Sequence, residues 1–447
     1  MPPVRRRDRV QRSSASPPYR KRWERDERRT GEQIATAALL DDALASVFSR
    51  FSDVTDVVRC ASTCMLWMRI VTTRARTIAH ALSPPRRWLP RSAIGVFHQE
   101  NNAPTARTRR SSAPAALPCF VPMASVARFF GTGGCHPLIG PAEVDLFINS
   151  RPVASRNGLL VLELQREGHA DGLRLCVCNP TSSKDEAMLL PPLSGQEKPR
   201  DYGCAVLAGN DFHPRPRLLT SFVVLLIYNR PGFTALRCYS TEAGDWGPEA
   251  RSCINVPAWK LCRIGQAVVR RAVAFWPLDH GALGVRLSAT APEVTETHLL
   301  PYDVPHYRPD RRLLGVTPDD RLFFVYFGVC VDILTAKISY FAIDADDIAG
   351  GRSERCYQQE AVRMRQMRMT CQDTLKLRWV CEKSGIVLFT LGESSGLSGT
   401  FALSLDKKTV EKVADGQGHE WRNFVGYETD TAGYLASING CTTMSMC

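Results

Sequence analysis

Apolar residues follow two different periods along this chain. Leu44, Val47, Phe48 and Phe51 recur at i, i+3, i+4 and i+7, the spacing of one helix face. Asp41 and Asp42 stand ahead of them, where a carboxylate can cap the free N–H groups of a helix start. The tripeptide FSD interrupts, Ser52 or Asp53 can cap a second helix, and Val54, Val57, Val58 and Ala61 repeat the spacing. Cys64, Trp67, Ile70 and Val71 carry the stripe onward, so residues 34–80 read as a bundle of three short helices.

Beyond residue 119 the period shortens to two. Leu375, Leu377 and Trp379 alternate with Lys376 and Arg378, and Phe401, Leu403 and Leu405 alternate in TFALSL, as in half-buried strands. Continuous apolar runs such as FVVLLIY (Phe222–Tyr228) and LFFVYFGVCV (Leu322–Val331) are too short for a membrane span of ~20 residues and read as buried strands. Turn signals recur in RNG (156–158), CNPTS (178–182), NRPG (229–232), EAGDWG (242–247), GESSGLSG (392–399) and DKK (406–408). Many short strands over residues 119–440 predict an all-β domain, a sandwich or a propeller; a propeller manages its strand edges better at this length. The WD and kelch repeat signatures are missing, so a blade number cannot be read.

Charge sharpens the boundaries. The chain has 447 residues and a formal charge of +12. Residues 1–29 hold eleven Lys or Arg against four acids, and residues 81–110 hold six Arg against Glu100. Both stretches are rich in Pro and Ser and lack apolar periodicity, so residues 1–33 are expected to be a disordered basic tail and 81–118 a disordered basic linker. No apolar stretch follows the opening arginines, which predicts a cytoplasmic or nuclear protein without a secretory signal. Arg5–Arg7 and Arg20–Arg22 have the spacing of a two-part nuclear import signal; the plainer reading is a solvated tail.

The candidate chemistry is sparse. Sixteen cysteines in a reducing compartment behave as small apolar residues. The close pairs Cys60/Cys64 and Cys176/Cys178 have no matching His or Cys pair downstream, which leaves no zinc site to propose. Cys135-His136 in GTGGCHP is the nearest approach to a thiol beside an imidazole, yet neighbours on a strand face opposite ways. Trp246, Trp259, Trp276, Trp379 and Trp421 fit a core better than a ligand surface. The run RMRQMRM (363–369) reads as an exposed loop or edge strand. No cofactor, metal or catalytic group is expected, and neither membrane nor specific nucleic-acid binding; nonspecific phosphate contacts through the tail are the nucleic-acid alternative.

A bundle of about 45 residues buries little surface of its own, so its apolar stripe implies a protein partner. From Leu39 to Val71 the sequence resembles an F-box of the kind abundant in plants, through Asp41-Asp42, Leu44, SDVTDVVRCAS, Cys64 and Trp67. Leu40 stands where that family usually has proline. The stretches SRNGLLVLEL (Ser155–Leu164), LCVCNPTS, RCYSTEAGDWGPE, RRAVAFW (Arg270–Trp276) and EKSGIVLFTL onward from Glu382 are similar to the F-box-associated β domains of grasses. The resemblance implies an α+β multidomain chain, a three-helix F-box followed by a propeller-like domain that recruits a target protein. It implies docking on a Skp-type adaptor, and through it a cullin ubiquitin ligase, by Leu39, Leu44, Val47, Val57, Val58, Cys64 and Trp67. The alternative is an F-box scaffold acting outside a ligase.

Overall fold

The computed structural model describes most of residues 40–436; residues 1–39, 83–87, 100–117, 125–146, 165–171, 181–186, 213–220, 302–311, 341–357, 437–447 and some shorter loop segments lie outside the description. The chain divides into two compact units, Met1–Leu82 and Ser83–Cys447.

The first unit is helical: α1 (residues 40–48), α2 (Val54–Ala61), α3 (Met65–Thr73) and α4 (Ala75–Leu82). The predicted stripe from Val54 to Val71 is therefore not one helix. It breaks at Ser62–Cys64, where the Ser62 and Thr63 hydroxyls donate to the carbonyls of Arg59 and Cys60. Hydroxyls that bond the preceding turn in this way compete with helix continuation. Cys64 then caps α3 with extended backbone (φ −156°, ψ 153°), and its thiol makes no capping bond. Asp41 and Asp42 lie inside α1 and pair with Arg69 (3.0 Å) and Arg74 (2.7 Å) on and just after α3. Ala45, Phe48, Val57, Ala61, Met68, Ile70, Val71 and Ile78 are buried.

The second unit contains six sheets of β-propeller blades. Blade 1 comprises β3 (Arg151–Arg156), β4 (Leu159–Glu163), β6 (Leu175–Cys178) and β7 (Met188–Leu189), with a small side sheet of β5 (Gly172–Leu173) and β8 (Leu193–Ser194). Blade 2 is β9 (Tyr202–Ala208), β10 (Phe222–Arg230), β11 (Phe233–Ser240) and β12 (Asp245–Trp246), with β13 (Ala250–Arg251) beside β11. Blade 3 is β14 (Val268–Arg270), β15 (Val273–Leu278), β16 (Gly281–Leu287) and β17 (Val294–Pro301). Blade 4 is β18 (Arg312–Val316), β19 (Leu322–Cys330), β20 (Ile333–Tyr340) and β21 (Gln358–Arg368). Blade 5 is β22 (Leu375–Cys381), β23 (Ile386–Leu391), β24 (Gly399–Ser404) and β25 (Thr409–Asp415). All these ladders are antiparallel meanders.

Blade 6 is built from both ends of the unit. β26 (Arg422–Glu428) is its innermost strand, β1 (Ala93–Gln99) pairs with it, and β2 (Cys119–Pro122) pairs with β1. The innermost strands β26, β3, β9, β14, β18 and β22 neighbour one another in that order and close the ring. β1 lies within residues 81–118, which the sequence reads as linker. The composition of that segment is linker-like, but Ala93–Gln99 is held by long-range pairing with a strand over 300 residues away, which no local signal reveals.

The apolar cores lie between blades. Leu160, Trp379, Leu388 and Tyr427 pack with Phe97 and Phe120 where blade 6 meets its two neighbours. Val161 with Val224, Leu225 with Trp276, Phe275 with Leu314, and Phe327 with Phe389 belong to the cores of successive blade pairs. Inner strands thus have both faces buried, and β23 and β24 are buried at every position. This explains the continuous apolar runs, which a one-sided sheet would not need. Trp246, Trp276 and Trp379 are core residues, and the RMRQMRM run falls largely on β21, the outer edge of blade 4. No helix among the described residues is long and apolar enough to cross a membrane.

Candidate functional site

Two surfaces stand out, one on each unit. On the helical unit, Leu40, Val47, Met65 and Leu66 are exposed, with Met65 78% accessible. Only two other large apolar side chains among the described residues are comparably exposed, Met188 and Leu189 on β7. Four exposed large apolar side chains on a unit this small are a candidate interaction surface. Trp67 is half-buried and stands edge-on to Phe48 (5.7 Å between ring centres).

The residues expected to touch an adaptor divide into three groups. Val47 and Cys64 are exposed, while Leu44, Val58 and Trp67 are half-buried. Val57 is fully buried and holds the unit together from within. Leu39 lies outside the described residues. The sequence reading missed Leu40, Met65 and Leu66. Treating Val54–Val71 as one helix aimed Met65 and Leu66 off the stripe; the restart after Cys64 puts both in the exposed first turn of α3. Cys135 and His136 also lie outside the described residues, as does the side chain of Trp259.

On the β unit, the ends of the innermost strands of all six blades converge on a mouth with a cavity of about 330 Å³. Arg156 comes from the end of β3, Asp211 from the short helix α5 (Gly209–Phe212) after β9, and Arg270 from β14. Asp320 follows β18, Glu382 and Lys383 follow β22, and Glu428 ends β26. Tight hairpins bring these residues in. Asn157 (φ 53°) and Gly158 (φ 79°) turn β3 into β4, and Arg271 (φ 47°) and Ala272 (φ 60°) turn β14 into β15.

The floor is a buried charge network. Arg156 donates from Nη2 to Asp211 Oδ1 (2.9 Å), from Nη1 to Asp211 Oδ2 (2.5 Å) and from Nε to Glu382 Oε2 (2.9 Å). Asp211 also accepts from the Ala208 N–H, and Glu382 Oε1 accepts from Val269 N–H at 3.3 Å. Glu428 accepts from the Ser384 and Lys383 N–H groups, at 2.7 and 3.1 Å. Burial alone would favour loss of the Arg156 proton, but the Asp211 and Glu382 carboxylates outweigh it and hold the guanidinium charged. For Glu382, burial dominates and raises its carboxyl above the ordinary range; Arg156 opposes the rise, and Glu428 and Asp211 add to it.

Gln266, just before β14, spans the same region. Its amide donates to Val380 O (2.7 Å) and accepts from Val380 N–H (2.8 Å), linking blade 3 to blade 5 past the intervening blade. Arg270 and Arg271 both pair with the carboxylate of Asp320, Arg270 at 3.3 Å. Among the described residues no cluster of His, Cys, Asp and Glu has the arrangement of a metal site. Sequence reasoning did not single out these mouth residues, although SRNGLL, RRAVAFW and EKSG each contain part of the mouth.

Comparison with known proteins gives only weak structural similarities. No family model matches the chain, and no curated protein matches it. Similar solved structures include a puromycin-hydrolysing peptidase of Mycobacterium tuberculosis, 8% identical with a TM-score of 0.34 over 63% of this chain and 40% of that one. The GH93 α-L-arabinofuranosidase of Fusarium graminearum is 8% identical with a TM-score of 0.31, over 61% of this chain and 79% of its own. AztD of Citrobacter koseri is 10% identical with a TM-score of 0.28, over 75% of this chain and 98% of its own. Likenesses this weak carry no conclusion about what the chain binds or acts on.

Proposed function

We propose that this protein is the substrate-recognition subunit of a Skp–cullin–F-box ubiquitin ligase. The observation that carries the reading is the exposure of Leu40, Val47, Met65 and Leu66 on a helical unit whose sequence resembles an F-box. A Skp-type adaptor covers these side chains, and the β unit presents a target protein through its mouth. The subunit performs no bond chemistry of its own. It raises the local concentration of target lysines beside an activated ubiquitin held elsewhere in the complex, so its contribution is proximity.

The test is affinity capture of the full chain with a Skp-type adaptor and cullin, in parallel with a Met65→Asp, Leu66→Asp variant. The variant replaces exposed side chains, so it retains its helical circular dichroism while adaptor capture drops to background. Undiminished capture by the variant, or no capture by the natural chain, removes the ligase reading.

A further inference from the structure

We infer that the mouth of the β unit binds an acidic segment of the target protein, with the Asp320 carboxylate occupying the place of a ligand carboxylate when the site is empty. This deepens the recognition role proposed above for the β unit and rests on it. The sign of the ligand follows from which polar groups at the mouth are already committed. Three of the four carboxylates lining the cavity have a donor on each oxygen, and the fourth is ion-paired with two arginines. Asp211 has both oxygens on Arg156, Glu382 uses one for Arg156 and one for Val269 N–H, and Glu428 takes two backbone N–H groups. Asp320 is neutralised by ion pairs with Arg270 and Arg271, without a hydrogen bond to its Oδ2. A cationic side chain entering the mouth meets acceptors that are already engaged.

The cations at the rim are less committed. Arg271 meets Asp320 through Nε and keeps 58% of its side chain exposed. Lys383 Nζ stands 3.6 Å from Asp430, an ion pair too long for a hydrogen bond, and is 30% exposed. Arg271 is also kept at the rim at a cost. Arg271 and Ala272 occupy consecutive left-handed positions, which cost ~1 kcal/mol or more each for residues other than glycine. The Asn157-Gly158 hairpin makes the equivalent turn in blade 1 from residues suited to that geometry. An Asn-Gly pair at 271–272 would relieve the strain and remove the guanidinium. A carboxylate or phosphate reaching the rim gains charge-assisted bonds from Arg271 and Lys383, and competes with Asp320 for the arginine pair.

Fluorescence anisotropy with the full chain tests this, using labelled ten-residue Gly/Ser peptides that carry three Glu, three Gln, three Lys or three phosphoserines. The expected result is binding of the Glu or the phosphoserine peptide, weakening with added salt, and none of the Gln or Lys peptide. Binding of the phosphoserine peptide alone identifies phosphate as the recognised group. Arg271→Gln and Lys383→Gln each weaken binding about tenfold or more, as loss of a hydrogen bond to a charged group predicts. Asp320→Asn tightens it several-fold, because Asn tolerates the left-handed turn (φ 65°) while releasing both arginines. Arg363→Gln, an exposed site on β21, controls for net charge and leaves binding unchanged. Thermal melts of each variant confirm an intact β unit.

Equal binding of the Lys peptide, no binding of either acidic peptide, or weaker binding by an intact Asp320→Asn protein overturns the inference. Adaptor capture reads the helical unit instead. A peptide-binding chain that ignores the adaptor would sink the ligase reading and leave this one standing.

Discussion

Single residues at the closing blade and the mouth bear measurable loads. A Cβ on Gly95 of β1 would lie 2.4 Å from both the Phe120 ring and the Val121 carbonyl oxygen, so something must shift. Gly95→Ala is expected to cost about 3 kcal/mol in urea unfolding, the upper end for overpacking. Gly328→Ala on β19 meets nothing within 4 Å and should be neutral or mildly stabilising. Glu382 makes a pH-dependent contribution. Its carboxyl binds a proton more tightly in the folded chain than in the unfolded one, so its contribution to stability is fully present below the ordinary value of 4.5. That contribution is lost as pH rises through the elevated folded-state value. Unfolding midpoints measured stepwise from pH 4.5 upward should therefore decline less steeply in Glu382→Gln than in the natural chain.

Elements were legible to the extent that their cause was local. The RNG, NRPG and DKK turns fall where hairpins form; Asn157, Gly158 and Gly232 supply the left-handed backbone in the first two, and Lys408 (φ 56°) takes it in the third. The helix break at Ser62–Cys64 was not legible. Cys64 falls at the spacing of the apolar stripe, and the Ser62 and Thr63 hydroxyl-to-carbonyl bonds that accompany the break leave no mark on that spacing. One consequence is a sharp contrast between two substitutions of similar appearance. Val57→Asp places a charge at a fully buried position and should abolish the helical signal of the unit. Leu66→Asp places it on the surface and should leave that signal intact. Circular dichroism of residues 34–82 within the full chain, read by difference against a chain lacking them, separates the two. The mouth was least legible, since its residues come from six strand ends spread from Arg156 to Glu428 and no spacing rule relates them.

At the scale of the whole β unit, closure rests on noncovalent pairing of β1 with β26. Around the joint, Tyr427 donates to Gly158 O (2.8 Å) and the Thr429 N–H to Ser92 O (2.9 Å), fastening the last strand to blade 1 and to the start of β1. Removing residues 421–447 should therefore affect more than a terminus. With Phe97 and Phe120 deprived of Tyr427 and Val425, the truncated chain is expected to bind a hydrophobic dye and lose its cooperative melting transition. An unchanged midpoint would show that five blades hold without the sixth.

The same joint sets a schedule for biosynthesis. β1 leaves the ribosome more than 300 residues ahead of the strand it must embrace. At ~5–20 residues per second, an oily ribbon waits tens of seconds for its mate. A nonsense codon between β25 and β26 would thus leave every blade translated save one strand, and no ring. Newly made copies are expected to lean on chaperones for that interval.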